Sequence, residues 1–307
     1  MFEEYKCPYP VLFLIFNRPQ LAEICFERIR AARPLRLYLH CDGARPDREG
    51  EAEIVAISRQ ITEKVDWPCE VFTLFRPENV GLRKALSGAI TWFFEHEEAG
   101  IIMEDDCLVD PSFFPFCAEM LDRYRHDEQV MHIGAWNLIE RRTGALPADY
   151  FWTNFSIVTA FATWRRAWQK MDLEMAHLAE FERNNGIRHL IDSRPAQAYM
   201  LDKFRAVQAL NIRSWAYAWF FSILQEGGIC LLSSKNLVKN IGFGEGATNT
   251  GASNAASEIE ASSLSFPLRH PADKTIHPGH ERQLFYAYQK RPFRLVFWYL
   301  LHLLKLR

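Results

Sequence analysis

Glu104-Asp105-Asp106 follow directly on the apolar run Gly100-Ile101-Ile102-Met103. Three adjacent carboxylates repel one another unless a cation or donor groups share the site. Hard divalent cations prefer such oxygens and can bridge them to the phosphates of a bound nucleotide. The apolar run is too short for an ordinary helix and is bounded by Gly, so it reads as a buried strand. In an open α/β sheet, ligands bind beyond the carboxyl ends of the strands. The acids therefore point to a metal site that receives a diphosphate. The competing role is an acidic helix cap, because Asp110-Pro111 opens a helix soon afterwards.

Elements that would position such a site are visible upstream. Val11–Phe16, Leu35–His40, Val71–Phe75 and Val130–Ile133 are unalternating apolar runs, as expected of parallel strands covered on both faces. They end in Asn17-Arg18-Pro19, Cys41-Asp42-Gly43, Asn79-Val80-Gly81 and Gly134. Leu82, Ala85, Leu86, Ala89, Ile90 and Phe93 recur at helical spacing and predict an amphipathic helix over 82–97. Strands alternating with helices predict a Rossmann-like α/β sheet.

The ordered motifs Phe16-Asn17-Arg18-Pro19, Asp42-Gly43, Asn79-Val80-Gly81-Leu82-Arg83-Lys84-Ala85 and Ile101-Ile102-Met103-Glu104-Asp105-Asp106 resemble the nucleotide-sugar domain of GT-A glycosyltransferases. The Glu-Asp-Asp form is similar to that of the N-acetylglucosaminyltransferase I group and its bacterial family-2-like relatives. Phe161–Trp168 resembles the Trp-Ala-Thr-Trp segment of those bacterial enzymes. Lys235–Gly244 with Ala247-Thr248 resembles their closing block. The matches run in order from about residue 10 to about residue 250. They imply a mixed, mostly parallel GT-A sheet flanked by helices, with a C-terminal helical tail. The catalytic domain would span 1–250, its nucleotide-sugar half about 1–135 and its acceptor half about 136–250.

By the same resemblance, Asp106 is the direct ligand of Mn²⁺ or Mg²⁺. Asp105 and Glu104 would hold the metal's water shell, the ribose or the donor sugar. Asn17 and Arg18 would contact base or phosphate, and Asp42 would accept from the nucleobase unless it serves its own Asp-Gly turn. Asn79 and Arg83 flank a Gly at a helix start, where backbone N–H groups favour anions; Arg83 fits an exposed helix position equally well. Trp164 and Trp168, four apart, would share a helical face as an acceptor platform or as core. Trp215, Tyr217 and Trp219 alternate and, in a strand, would share one face bordering the acceptor or packing in the core.

Two positions depart from the family pattern. Bacterial relatives carry Trp-Asp-Tyr where this chain has Trp215-Ala216-Tyr217, and Thr-His where it has Thr248-Asn249. An acid at 216 is the catalytic base that the resemblance implies, and alanine cannot take a proton. An engineered inactive form, a base elsewhere (Asp202, Glu226 or Glu245) and a non-catalytic scaffold all account for it.

The chain's 307 residues allow one large domain or two small ones, and its net charge of −2 argues against a general nucleic-acid binder. Seven cysteines without a Cys-x-x-Cys pair form neither a disulfide framework nor a zinc site and fit a reducing compartment. Met1–Lys6 is polar and the following run short, unlike a secretory signal, so a cytoplasmic location is expected. Residues 251–290 form a loop-rich extension, with Gly244–Ser263 read as a mobile lid or connector. In 291–307, Pro292 opens a short apolar run with Trp298 and Tyr299, bracketed by basic residues. It is shorter than a membrane span and fits an interfacial helix on the inner membrane face, or a helix packed on the domain or a second subunit. No oligomeric state follows from these features.

The resulting expectation is a metal-dependent, inverting glycosyltransferase moving a hexosyl or N-acetylhexosaminyl group. Its donor would be a nucleotide-diphospho-sugar, UDP-sugar favoured, and its acceptor a hydroxyl of an envelope glycan or glycolipid. The alternatives are a silent nucleotide-sugar or glycan-binding protein and, less favoured because Asn17-Arg18-Pro19-Gln20 lacks Gly, a nucleotidyltransferase.

Overall fold

The computed structural model describes residues 5–144, 146–242, 259–289 and 292–303. The first half runs β1 (Val11–Ile15), α1 (Pro19–Ala32), β2 (Arg36–Cys41), α2 (Glu51–Arg59), β3 (Glu70–Phe75), α3 (Leu82–His96) and β4 (Ala99–Glu104). Next come β5 (Cys107–Val109), α4 (Phe113–Arg123), β6 (Val130–Gly134), α5 (Glu140–Thr143), β7 (Tyr150–Thr153), β8 (Phe161–Trp164) and α6 (Arg165–Trp168). The remainder is α7 (Leu178–Arg183), α8 (Arg194–Gln208), α9 (Ala216–Gln225), β9 (Ile229–Ser233), β10 (Val238–Asn240), α10 (Pro278–Tyr288) and α11 (Pro292–Leu303).

Among the described residues, eight strands form one sheet in the order β3-β2-β1-β4-β8-β6-β9-β7. The strands β1, β2, β3, β4, β6 and β9 run one way; β8 and β7 run the other. This is the expected mixed, mostly parallel sheet. The period of two along each strand divides its side chains between the layers. Val11, Phe13 and Ile15 of β1 join α1 and α4 in one core, while Leu12 and Leu14 pack with α3, α6 and α9 on the other face. A further cluster joins α7, α8, α9, α10 and α11. Helix 82–97 is confirmed as α3, started by Gly81 at φ +81°, a left-handed conformation costly for other residues.

Three expectations need correction. The strand β3 is not covered on both faces: it lies at the sheet edge, and Val71 is exposed. Trp215, Tyr217 and Trp219 are not on a strand. The alternation belongs to the start of α9, a helix whose buried residues Ala218–Ile223 leave little amphipathic signal to read. Nor do Trp164 and Trp168 share a helical face, because Trp164 ends β8 and only Trp168 lies in α6.

Residues 243–258 lie outside the described residues, and with them most of the expected lid, Glu245 and Thr248-Asn249. The end of the expected lid and the residue after it, which are described, are tied down. The Ser262 N–H donates to the Asn236 carbonyl at 2.7 Å, the Ser263 hydroxyl to Asp110 at 2.8 Å, and Leu264 is buried.

The expected C-terminal helical tail is α11, which packs against α8. Leu295 and Trp298 turn inward, and the Trp298 ring meets Tyr199 edge-on at 5.3 Å. Val296, Phe297, Leu300 and Leu303 face outward. Among the described residues no helix is long and apolar enough to cross a membrane. Trp298→Ala is expected to cost about 3 kcal/mol through the cavity it leaves. Phe297→Ser should stay within about 0.5 kcal/mol. Urea unfolding midpoints check both, and equal effects would show that α11 is not docked by this face.

Candidate active site

The ends of β1, β2 and β4, the start of α3 and the end of β10 surround a cavity of about 430 Å³. Its wall includes Asn17, Arg18, Asp42, Asn79, Glu104, Asp105 and Asp106, so most of the expected site residues are brought together. It also includes Asn240 and Gly242 of the closing-block motif, and His40, Arg45 and Arg213, which motif reasoning did not single out.

At the acidic end, Arg18 holds two of the three acids. Its guanidinium pairs with Asp105 and, at 3.1 Å, with Asp106. Asp105 also accepts from the Phe16 N–H at 3.3 Å, which joins the end of β1 to the end of β4. Burial, together with the charges of Asp106 and Asp105, pushes Glu104 up to about 8. Burial likewise raises Asp105 to about 6, against the pull of Arg18. One guanidinium does not offset three carboxylates. The donor set is hard oxygen, and the surplus negative charge fits a divalent cation. Glu104 and Asp106 would hold it, since Asp105 is already committed to Arg18 and Phe16. Among the described residues no three His, Cys, Asp or Glu side chains already converge as a ligand cluster.

Asp42 has a structural task. Its carboxylate accepts from the N–H groups of Gly43 at 3.0 Å, Val80 at 3.2 Å and Gly81 at 3.1 Å. It thereby fastens the turn after β2 to the turn before α3. Asn79 reinforces the joint, its amide donating to the Gly43 carbonyl at 2.7 Å. Asn17 donates to Glu51 at 2.9 Å, and Glu51 in turn grips Arg45 and its backbone N–H. The hydrogen bonds from Arg45 hold Glu51 below its ordinary carboxyl range. Arg45 is left over the Phe16 ring at 5.6 Å, at the rim of the cavity.

Other expected residues are not in the cleft. The Arg83 guanidinium is buried on the far side of α3, donating to Glu174 at 3.1 Å and the Leu173 carbonyl at 2.5 Å. Trp164 is core, its indole N–H on the Leu121 carbonyl and the Arg166 guanidinium over its ring. Trp215 and Trp219 pack with Trp168 beneath the sheet, and the Trp219 N–H reaches His132 at 3.3 Å. Tyr217 turns to another cluster, where its hydroxyl donates to Gln289. Helix geometry explains the split, since residues 215 and 219 share a face and 217 does not.

Ala216 begins α9 and packs against the cluster containing Leu14, which lines the cavity. Arg213, three residues earlier, reaches the cavity wall. Glu226 lies at the opposite end of α9, paired with Lys170 at 3.2 Å, and Asp202 sits on α8. Neither lines the cavity.

No protein-family model matches the chain, and no curated protein does. Solved structures resemble it loosely. A cytidylyltransferase from Leptospira borgpetersenii is 12% identical, with 58% of this chain and 72% of that one covered at a TM-score of 0.34. Mouse xyloside xylosyltransferase 1 is 11% identical, with 71% and 82% covered at 0.36. The glycosyltransferase GlyE of Streptococcus pneumoniae is 10% identical, with 83% and 61% covered at 0.35. Overlaps this loose carry no functional weight, and the residues of the cleft must.

A Cβ on Gly43 would stand 2.3 Å from the Glu78 carbonyl carbon and 2.6 Å from its Cα. Backbone meets backbone there, so no side chain can yield. Gly43→Ala should therefore cost about 1–3 kcal/mol by overpacking. An unchanged urea midpoint would show that the two turns do not touch in solution.

Proposed function

We propose that the chain is a GT-A-type glycosyltransferase that takes a sugar from a nucleoside-diphospho-sugar and passes it to a hydroxyl of a glycan or glycolipid. The observation carrying this reading is the cleft at the strand ends, where a polar pocket leads to three carboxylates, two of them bridged by Arg18. The positive end of the α3 dipole opens on the same cavity and favours phosphate. Arg45 and Arg213 add cationic charge at its wall. The chemistry a divalent cation supplies at such a site is neutralisation of the leaving diphosphate. Arg18 holds the Asp105 and Asp106 side chains in place, and Glu104 and Asp106 would hold that cation.

UDP-sugars, tested with Mn²⁺, are expected to raise the melting temperature, because a ligand of the native state stabilises it by mass action. Asp106→Ala should remove the metal-dependent part of that stabilisation. A metal-dependent shift of equal size in the variant would overturn the assignment of the acids. A protein that no nucleotide sugar stabilises, with or without Mn²⁺, would overturn the donor reading altogether.

Ala216 supports a second reading, a nucleotide-sugar-binding protein without turnover. The first turn of a helix favours a carboxylate, so Ala216→Asp is compatible with the fold. If 216 is the position of the base, the substitution should raise transfer about 10²–10⁴-fold with donor affinity little changed. Initial rates with one donor and acceptor test this. Equal rates for two efficient enzymes would place the base elsewhere, and two inert proteins would favour the binder.

A further inference from the structure

His40 lies on β2, two residues before Asp42, and is 1% exposed. It lines the cavity, yet neither imidazole nitrogen has a hydrogen-bond partner among the described residues. A buried polar group left unmade is costly, and such groups in native folds are nearly always satisfied. Strands β1, β2 and β4 align Leu14 with both His40 and Glu104. Residues in one such row point to the same face of the sheet. Neighbouring strands are about 4.8 Å apart, so the backbones of His40 and Glu104 stand roughly 10 Å apart across the cavity floor. Leu14 lies between them, and Ala85 and Leu86 of α3 line the same cavity.

A nucleoside diphosphate is long enough to reach from one end of this row to the other. Its diphosphate belongs at the acids and its flat base at the apolar end. There the other polar candidates are engaged: Asp42 with three backbone N–H groups, and Asn79 with the Gly43 carbonyl. We propose, on the footing that the cleft holds a nucleoside-diphospho donor, that His40 is the residue that reads the nucleobase. Burial, aided by the nearby Arg76 and Arg59, lowers His40 to about 3 and keeps it neutral. Those two arginines do not bond it; Arg59 donates to the carbonyls of Asp42 and Arg76. A neutral imidazole offers one N–H and one lone pair, the complement of a base edge that carries both acceptors and donors.

The test is calorimetric titration of the full chain with UDP, CDP, ADP, GDP and inorganic pyrophosphate, repeated for His40→Phe. The wild type should prefer one base. The variant should lose about ten-fold or more for that nucleotide, roughly the worth of one buried hydrogen bond, and bind pyrophosphate as before. A wild type that discriminates and a folded variant that discriminates equally would overturn the assignment while leaving the donor reading intact. Equal wild-type affinities for the four nucleotides would overturn it as well. No binding of any nucleotide, with or without Mn²⁺, would remove the donor reading and His40 with it. Imidazole ¹⁵N resonances of the wild type decide the matter should His40→Phe fail to fold. Those of His40 should move with the preferred nucleotide and not with pyrophosphate; resonances that ignore both overturn the assignment.

Discussion

Arg18 is the interaction on which the cleft depends. Three carboxylates in succession at the end of one buried strand would otherwise repel one another with no counter-charge. The guanidinium reaches across from the β1–α1 turn to Asp105 and Asp106. Arginine suits the task because it stays charged and presents a planar fork of donors. The pair does not finish the neutralisation, since Glu104 is still raised by burial and by its acidic neighbours. A site built this way is held open by its fold and remains electrostatically hungry. Removing one partner of a buried pair leaves an uncompensated charge, a far larger penalty than the pair's net worth.

The remaining walls follow the same economy. The carboxylate of Asp42 and the amide of Asn79 spend their capacity on backbone groups, so they shape the cavity by fixing turns. Glu51 does likewise for Arg45 and Asn17. What faces the cavity is then the residue of this accounting: Glu104, Arg45, Arg213 and His40, each carrying polar capacity that its neighbours do not absorb in full. Sequence motifs pointed first to the residues that turned out to build the frame, because Asp-Gly and Asn-x-Gly are turn signals whatever their further use.

Much of the architecture was legible in the chain. The apolar runs ending at Asn17, Asp42 and Glu104, and the helical spacing from Leu82 to Phe93, place the strand ends and α3 correctly. Hydrophobic periodicity failed where burial is complete. In α9, apolar residues on all sides hide the helical period, and Trp215-x-Tyr217-x-Trp219 mimics a strand. The apparent helical pair Trp164 and Trp168 straddles a strand end, a boundary that spacing alone does not mark. Arg83 carries the right charge at the right helix start, but its position on α3 turns it toward residues 173–174. His40 did leave a signal: after the exposed Arg36, β2 reads Leu37-Tyr38-Leu39 before this histidine, a polar ring near the end of a mostly apolar strand.

The start of α9 links the core to the chemistry that the family resemblance implies. Trp215 and Trp219 anchor the helix under the sheet against Trp168 and Phe161, which fixes where its first turn lies. Arg213 approaches the cavity from just before that turn, and Ala216 packs behind it against the cluster that holds Leu14. A methyl group there contributes packing and no proton-accepting capacity. The aromatic anchors are thus independent of the side chain at 216: whatever stands at that position inherits the same placement at a helix N-terminus, where a carboxylate is electrostatically favoured. Ala216 itself does not line the cavity, so if 216 is the position of the base, the difference between a transferase and a binder on this scaffold reduces to which other group at the cavity wall can take a proton.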